Sequence, residues 1–347
     1  MRDPSLSPST VSRRTALAGL GVGGFGLAAS ARHHRARAQE ATPQAGATPV
    51  PPSDLLASGF VAFDREIKDP RIATPSDVEV GPDGRIWIPD QATNTIFVLG
   101  SSGELLDRFG SPGSEPGQFQ FGDFGSIDVD GEGTVFVLDT YNHRVQEFDA
   151  DLEFVRQWGA SGFDPGEFAH PSDIEVAPNG DIYVCDAERS DVQRFSREGE
   201  YIGSLSPGTG GEEFKEPALI GIDEAGSVYV PDISRIHVFD ADGDFERTIK
   251  TTEAGNGEIS VGFDAAATVG GYLFVSDVQR ARVAVFDADG RAIGYFGERG
   301  AAAGQFDEIS NLTLDGDGTL YVLDYANHRI QAFRLPRPDH ATPVASP

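Results

Sequence analysis

One cysteine, Cys185, in a chain of 347 residues rules out an intramolecular disulfide framework and a Cys-based zinc knuckle. Basic residues are also scarce. The chain holds 27 Lys and Arg against 55 Asp and Glu, a formal charge of −28, which repels phosphate and argues against a nucleic-acid binder or an anionic-membrane surface protein. No Ser-His-Asp order, phosphate loop or His-Glu-x-x-His motif is visible past the N-terminal segment. What is abundant is turn chemistry and core. With 42 Gly and 22 Pro the chain turns often, a β signature, and its 39% hydrophobic content fills a real core.

The ends read differently from the middle. Residues 1–38 carry six arginines and one acid, Asp3, opposite in sign to the rest. Ser12-Arg13-Arg14-Thr15-Ala16-Leu17 precedes a Gly-rich, weakly apolar run from Ala16 to Ala29, and Ala36-Arg37-Ala38 supplies a small-x-small cleavage site. The segment resembles a twin-arginine export signal, although it lacks a phenylalanine two places after the arginine pair. That resemblance implies export from the cytoplasm of a prokaryote, to the periplasm, cell surface or medium. The run is too short to span a bilayer, which takes about 20 apolar residues, so no transmembrane segment is expected in the mature form. The Gly19, Gly21, Gly24 pattern lies inside this run, with no strand before it, and is no dinucleotide site. Setting the segment aside leaves 21 basic and 54 acidic residues, a mature charge of −33. The Pro/Ala/Thr-rich stretches 39–56 and 337–347 read as a disordered linker and tail.

Between them, one phrase recurs six times. It runs Ile86-Trp87-Ile88-Pro89-Asp90, Val135-Phe136-Val137-Leu138-Asp139, Ile182-Tyr183-Val184-Cys185-Asp186, Val228-Tyr229-Val230-Pro231-Asp232, Leu273-Phe274-Val275-Ser276-Asp277 and Leu320-Tyr321-Val322-Leu323-Asp324, with final aspartates 45 to 49 residues apart. An apolar run and a Gly turn precede each phrase, and one or two further runs follow. Four short strands per unit make a propeller blade, so the fold is an all-β, six-bladed β-propeller over residues 57–336. The sixth unit lacks a fourth strand, and Phe60–Ile67 is expected to supply it and close the ring.

Asp139-Thr140-Tyr141-Asn142-His143-Arg144-Val145-Gln146 and Asp324-Tyr325-Ala326-Asn327-His328-Arg329-Ile330-Gln331 resemble the signature of NHL-repeat propellers. The resemblance implies the fold; such propellers serve as lyases, receptors, RNA binders and scaffolds.

Counting back 13 residues from each phrase-final aspartate reaches Asp77, Ser126, Asp173, Leu219, Asp264 and Asn311, near the start of each first strand. Asp77, Asp173, Asp264 and Asn311 would form an oxygen-rich ring at one channel mouth, suited to calcium or another divalent cation; local turn capping is the alternative. Ser126 sits between them and is a candidate ligand contact. Tyr141, Glu188, Arg189, Arg280 and Tyr325 follow the phrase-final aspartates on the same face and are candidate contacts to a small polar ligand, a peptide or a protein. The phrase-final aspartates themselves read as structural, because every blade has one. His143 and His328 read as framework residues that hydrogen-bond between blades. The Asp-Gly stretches near 240, 287 and 315 read as hairpin turns.

Amidating lyases of similar architecture use three channel-mouth histidines around zinc. Here only His170 lies near such a position, while the matching places hold Thr74, Asp123, Glu216, Val261 and Glu308. Gluconolactonase-like propellers hold a divalent cation with Glu, Asn and Asp, and the Asp/Asn ring is a loose match. Two functions remain open: a non-catalytic ligand- or protein-binding or scaffold module working through the channel mouth, or a metal-dependent lyase or lactonase using the same face with His170 as a proton-transfer group.

Overall fold

The computed structural model describes residues 53–208, 213–233, 235–251, 266–269 and 271–335, with 53 and 266–269 by backbone alone. The export segment, most of the linker, the tail and Asp264 lie outside the described residues. Strands β1 (Ser53–Asp54) and β2 (Ala62–Ile67) precede blade one, which holds β3 (Glu79–Val80), β4 (Ile86–Asp90), β5 (Thr95–Leu99) and β6 (Leu105–Phe109). Blade two comprises β7 (Ser126–Val129), β8 (Val135–Asp139), β9 (Arg144–Phe148) and β10 (Phe154–Trp158); blade three comprises β11 (Pro171–Val176), β12 (Ile182–Asp186), β13 (Asp191–Phe195) and β14 (Tyr201–Ser204). Blade four holds β15 (Gly221–Ile222), β16 (Val228–Asp232), β17 (Arg235–Phe239) and β18 (Phe245–Lys250), and blade five β19 (Ala266–Val269), β20 (Tyr272–Asp277), β21 (Arg282–Phe286) and β22 (Ala292–Phe296). Blade six is β23 (Ile309–Leu314), β24 (Thr319–Asp324) and β25 (Arg329–Arg334), completed by β2.

The ring closes as the hydrophobic pattern requires. β2 pairs antiparallel with β25, Ile67 facing Ile330. The inner strands contact one another in sequence, β3 to β7, β11, β15, β19, β23 and back to β3, around one channel. One boundary differs from the sequence reading. Ser53–Asp54, expected in the linker, pair in parallel with β22, and Leu55 buries its side chain against blade five's core. Two residues amid prolines leave no periodicity to read.

The second strands of blades one to three are buried throughout, and the core lies between blades: Trp87 and Val98 of blade one pack with Phe119 and Phe148 of blade two, and Phe136 and Leu138 pack with Phe168 and Ile174 of blade three. Phe168 is fully buried beside Gly159, whose φ of +100° and place 2.5 Å from the ring, measured from an added Cβ, leave room for no other residue. Phe168→Ala is expected to cost about 3–5 kcal/mol in a urea titration, the range for emptying an aromatic core site.

The phrase-final aspartates are structural. Asp90 accepts from the amides of Ala73 at 2.7 Å and Thr74 at 2.6 Å, Asp186 from those of Ala169 at 2.7 Å and His170 at 3.0 Å, and Asp232 from that of Glu216 at 2.9 Å. Each pins the loop that enters its own blade. The Asp-Gly stretches are hairpin turns: Asp240, Asp287 and Asp315 each accept from the amides two and four residues on, at 2.7 to 3.0 Å. The histidine expectation needs correcting. His143 and His328 take left-handed φ of 53° and 51° at the ends of one-turn 3-10 helices, and buried Nδ1 of His143 has no hydrogen-bond partner. The bonds to the entering loops come from neighbours instead, Asn142 to the Gly113 carbonyl and Asn327 to that of Gly300, both at 2.9 Å. The conformation is what repeats, since Asn94, Ser190, Ile233 and Ala281 hold the same positive φ on the other blades.

Candidate functional site

The channel mouth is built where entering loops meet the ends of the second strands. Phe119 and Asp139 are 20 residues apart, against 18 for Phe168 and Asp186 and for Phe306 and Asp324, so the loop before β7 is two residues longer. That loop carries Asp123 and Phe124 to the mouth. Phe124 meets the His170 ring edge-on at 5.3 Å between centroids, and Tyr141 lies 6.0 Å from the same ring. The Tyr141 hydroxyl donates to Asp123 Oδ2 at 3.1 Å; burial, then the Asp123 charge, pushes the phenol up, so it stays a donor. Tyr141 is 48% exposed, while His170 and Phe124 are half-buried. Blades two and three thus present three aromatic rings and a carboxylate on one exposed face. Sequence reading found Tyr141 and His170 but missed Phe124, whose signal was the extra loop length.

Below the mouth the channel is acidic in two layers. Asp77, Ser126 and Asp173 form the first, all buried. They are tied blade to blade: Asp77 Oδ2 accepts from the Ile127 amide at 2.9 Å, Ser126 donates to Asp173 Oδ1 at 2.9 Å, and Asp173 Oδ2 accepts from the Ile220 amide at 2.7 Å. Each acceptor on the channel wall thus receives the amide one repeat later. The second layer, two residues along each strand, is Glu79, Asp128 and Glu175, facing Gly221 and Thr313 on blades four and six. Asp128 Oδ2 accepts from the Val176 amide at 2.6 Å, and Thr313 donates to Glu79 Oε2 at 2.6 Å. The second layer opens onto a cavity of about 390 Å³ at the opposite end, bounded by Asp223, Leu312 and Asp315 among others.

Burial and mutual repulsion favour the protonated forms of Glu79, Asp128, Asp173 and Glu175. Burial lifts Asp128 to about 7 against the pull of the Val176 and Val129 amides. Asp173 is raised well above the usual carboxylate range by burial and then by Asp77, Glu175 by burial and then by Asp128, and Glu79 by burial and then by Asp128. Among the described residues no group of three or more His, Cys, Asp or Glu could hold a metal ion. Asp77 and Asp173 share the channel wall, and their oxygens stitch neighbouring blades together through the Ile127 and Ile220 amides. Asn311 Oδ1 is buried with no hydrogen-bond partner, and Asp264 lies outside the described residues.

The remaining candidates stay on separate loops. Arg189 is held by Asp191 at 3.0 Å, and Arg280 by Asp277 at 3.1 Å. Glu188 is exposed, and the Tyr325 amide donates to the Glu308 carbonyl at 2.8 Å.

Fold and repeat together define the class, a six-bladed β-propeller with NHL-type repeats. A family model described as a 6-bladed beta-propeller matches residues 118–208, which hold blades two and three. Peptidyl-glycine alpha-amidating monooxygenase A of Xenopus laevis is 30% identical over 142 residues, 38% of this chain and 15% of that protein. NHL repeat-containing protein 3 of Homo sapiens is 26% identical over 223 residues, covering 58% of this chain and 63% of its own length. The chain therefore spans under two thirds of either relative. Among solved structures, a streptogramin B lyase superposes with a TM-score of 0.55 at 14% identity, over 80% of this chain and 98% of that one. Virginiamycin B lyase from Staphylococcus aureus gives 0.55 at 13%, over 80% and 100%. At such identity the likeness is one of fold.

Proposed function

We propose that this protein is an exported, non-catalytic binding module whose ligand seats at the mouth of blades two and three, over Phe124, Tyr141 and His170. The ligand class is a peptide or protein segment presenting a cationic or aromatic side chain. The observation that carries this is the ring cluster itself, an exposed tyrosine whose hydroxyl is anchored to Asp123. A cation over an aromatic face gains about 0.5–2 kcal/mol, and the neighbouring carboxylate adds charge attraction. A chain with 55 acids to 27 basic residues steers cationic partners toward it. That a relative is named for peptidyl-glycine is consistent with a peptide ligand.

The rival, a metal-dependent lyase or lactonase, would rest on His170, the one histidine at its position: blades one, two, four and six hold Thr74, Asp123, Glu216 and Glu308 by the same count. Fluorescently labelled Arg/Lys-rich and Glu-rich peptides, titrated against the protein, test the binding reading. Basic peptides should bind, weaken with salt, and lose at least tenfold in affinity with Tyr141→Ala at unchanged melting temperature. Equal binding of both peptide classes, or indifference to Tyr141→Ala, would overturn it.

A further inference from the structure

The six outer strands of a propeller are sheet edges, and an uncharged edge invites another strand. One blade of this molecule shows the event. On blade five, β1 adds in parallel to β22, with Ser53 opposite Gly294 and the Leu55 amide donating to the Tyr295 carbonyl at 2.8 Å. The residue at the Gly294 register decides which edges can do this. It faces Val285 of β21, and its counterparts are Asp107 facing Val98, Arg156 facing Glu147, Arg247 facing Val238 and Arg65 facing Ala332. Four blades place a charge there. Blade three places Gly203, facing Arg194, and the dipeptide Ile202-Gly203 repeats Ile293-Gly294 in both sequence and register. A glycine within a strand often marks close approach of another backbone.

Where β1 lies, Ile293 is half-buried and Gly294 buried; on blade three Ile202 is 50% exposed and Gly203 half-exposed. β14 is terminal in its sheet, so no strand among the described residues covers it. Exposed apolar side chains gather at this rim: Tyr201 and Ile202 on β14, and Phe163 on the loop whose Gly166 lies against Tyr201. The exposed charge on this hairpin and on the Phe163 loop is acidic. Glu198, Glu200 and Asp164 are exposed, while Arg189, Arg194 and Arg197 are held by Asp191, Asp181 and Glu147.

We propose that the outer edge of blade three is a strand-addition site, taking an extended, uncharged segment with basic flanks from a partner protein, in the parallel register that β1 uses on blade five. Backbone hydrogen bonds to Tyr201–Ser204 give affinity, and the apolar rim and acidic surround select the segment. This site is independent of the channel mouth.

The test uses a synthetic peptide spanning residues 50–58 of this chain and carrying Asp54→Asn, flanked by lysines or by glutamates, with hydrogen exchange of the full chain as readout. The Lys-flanked peptide should slow exchange of the amides of residues 201–204 at least tenfold and the Glu-flanked one far less. Gly203→Arg installs the type of residue the other blades carry; an added Cβ there meets nothing within 4 Å, so the melting temperature should hold while protection disappears. Tyr141→Ala should leave the protection intact. Absence of protection, protection that survives Gly203→Arg, equal protection by both peptides, or protection confined to residues 292–295 would each overturn the proposal. Self-association that Gly203→Arg abolishes would also overturn it, because the occupant would then be a second copy.

Discussion

Glu175→Gln is expected to raise the melting temperature by several degrees at pH 8 and to leave it unchanged near pH 4. In the unfolded chain carboxyls ionise near pH 4, whereas in the channel burial and the charges of Asp128 and Asp173 hold the Glu175 proton to higher pH. The unfolded state therefore gains from ionisation that the folded state forgoes. Stability contributed by these groups is complete below pH 4, falls as pH rises, and levels off above the folded values, about 7 for Asp128. Each unit of upward shift is worth about 1.4 kcal/mol, roughly 3–6 °C on the scale of a domain of 150–250 residues. Gln removes the charge and keeps the shape, so its melting curve should vary less with pH between 4 and 8. A variant that melts lower than the parent at pH 8 would show that the Glu175 charge is stabilising and paired.

Asp139→Ala is expected to be among the most damaging single changes, at about 3–5 kcal/mol in urea. Asp139 is fully buried and gathers four groups: the Gln120 amide at 2.7 Å, Asn142 Nδ2 at 2.8 Å, Arg144 Nε at 2.8 Å and Gln146 Nε2 at 3.1 Å. Its removal leaves the buried Arg144 guanidinium without its carboxylate. Asp90→Ala is the comparison. Asp90 instead accepts from the amides of Ala73, Thr74 and Thr93, so its loss should cost only about 1–3 kcal/mol. Equal losses would mean that the loop amides, rather than the arginine, dominate this framework.

The repeat made the fold legible, because a phrase that recurs with one aspartate at its end leaves few architectures open. It also located the upper channel layer, since a constant offset lands on equivalent strand positions. Stepping two residues further along each strand, from Asp77 to Glu79 and from Asp173 to Glu175, would have found the lower layer by the pleat alone. The role of these acids was not legible. Asp77 bonds Ile127 and Asp173 bonds Ile220, partners one blade away that no single repeat contains. The mouth cluster hid for a related reason: the long loop of blade two displaces Asp123 and Phe124 from the positions that counting assigns.

The account turns on the channel acids being structural and the mouth being a binding surface. Elemental analysis of protein purified without chelator, with thermal melts in added calcium and zinc, tests this most directly. The account predicts no stoichiometric divalent cation and no shift in melting temperature. A bound ion at one per chain, lost together with a melting shift on Asp77→Asn or Asp173→Asn, would contradict it and restore the lyase or lactonase reading.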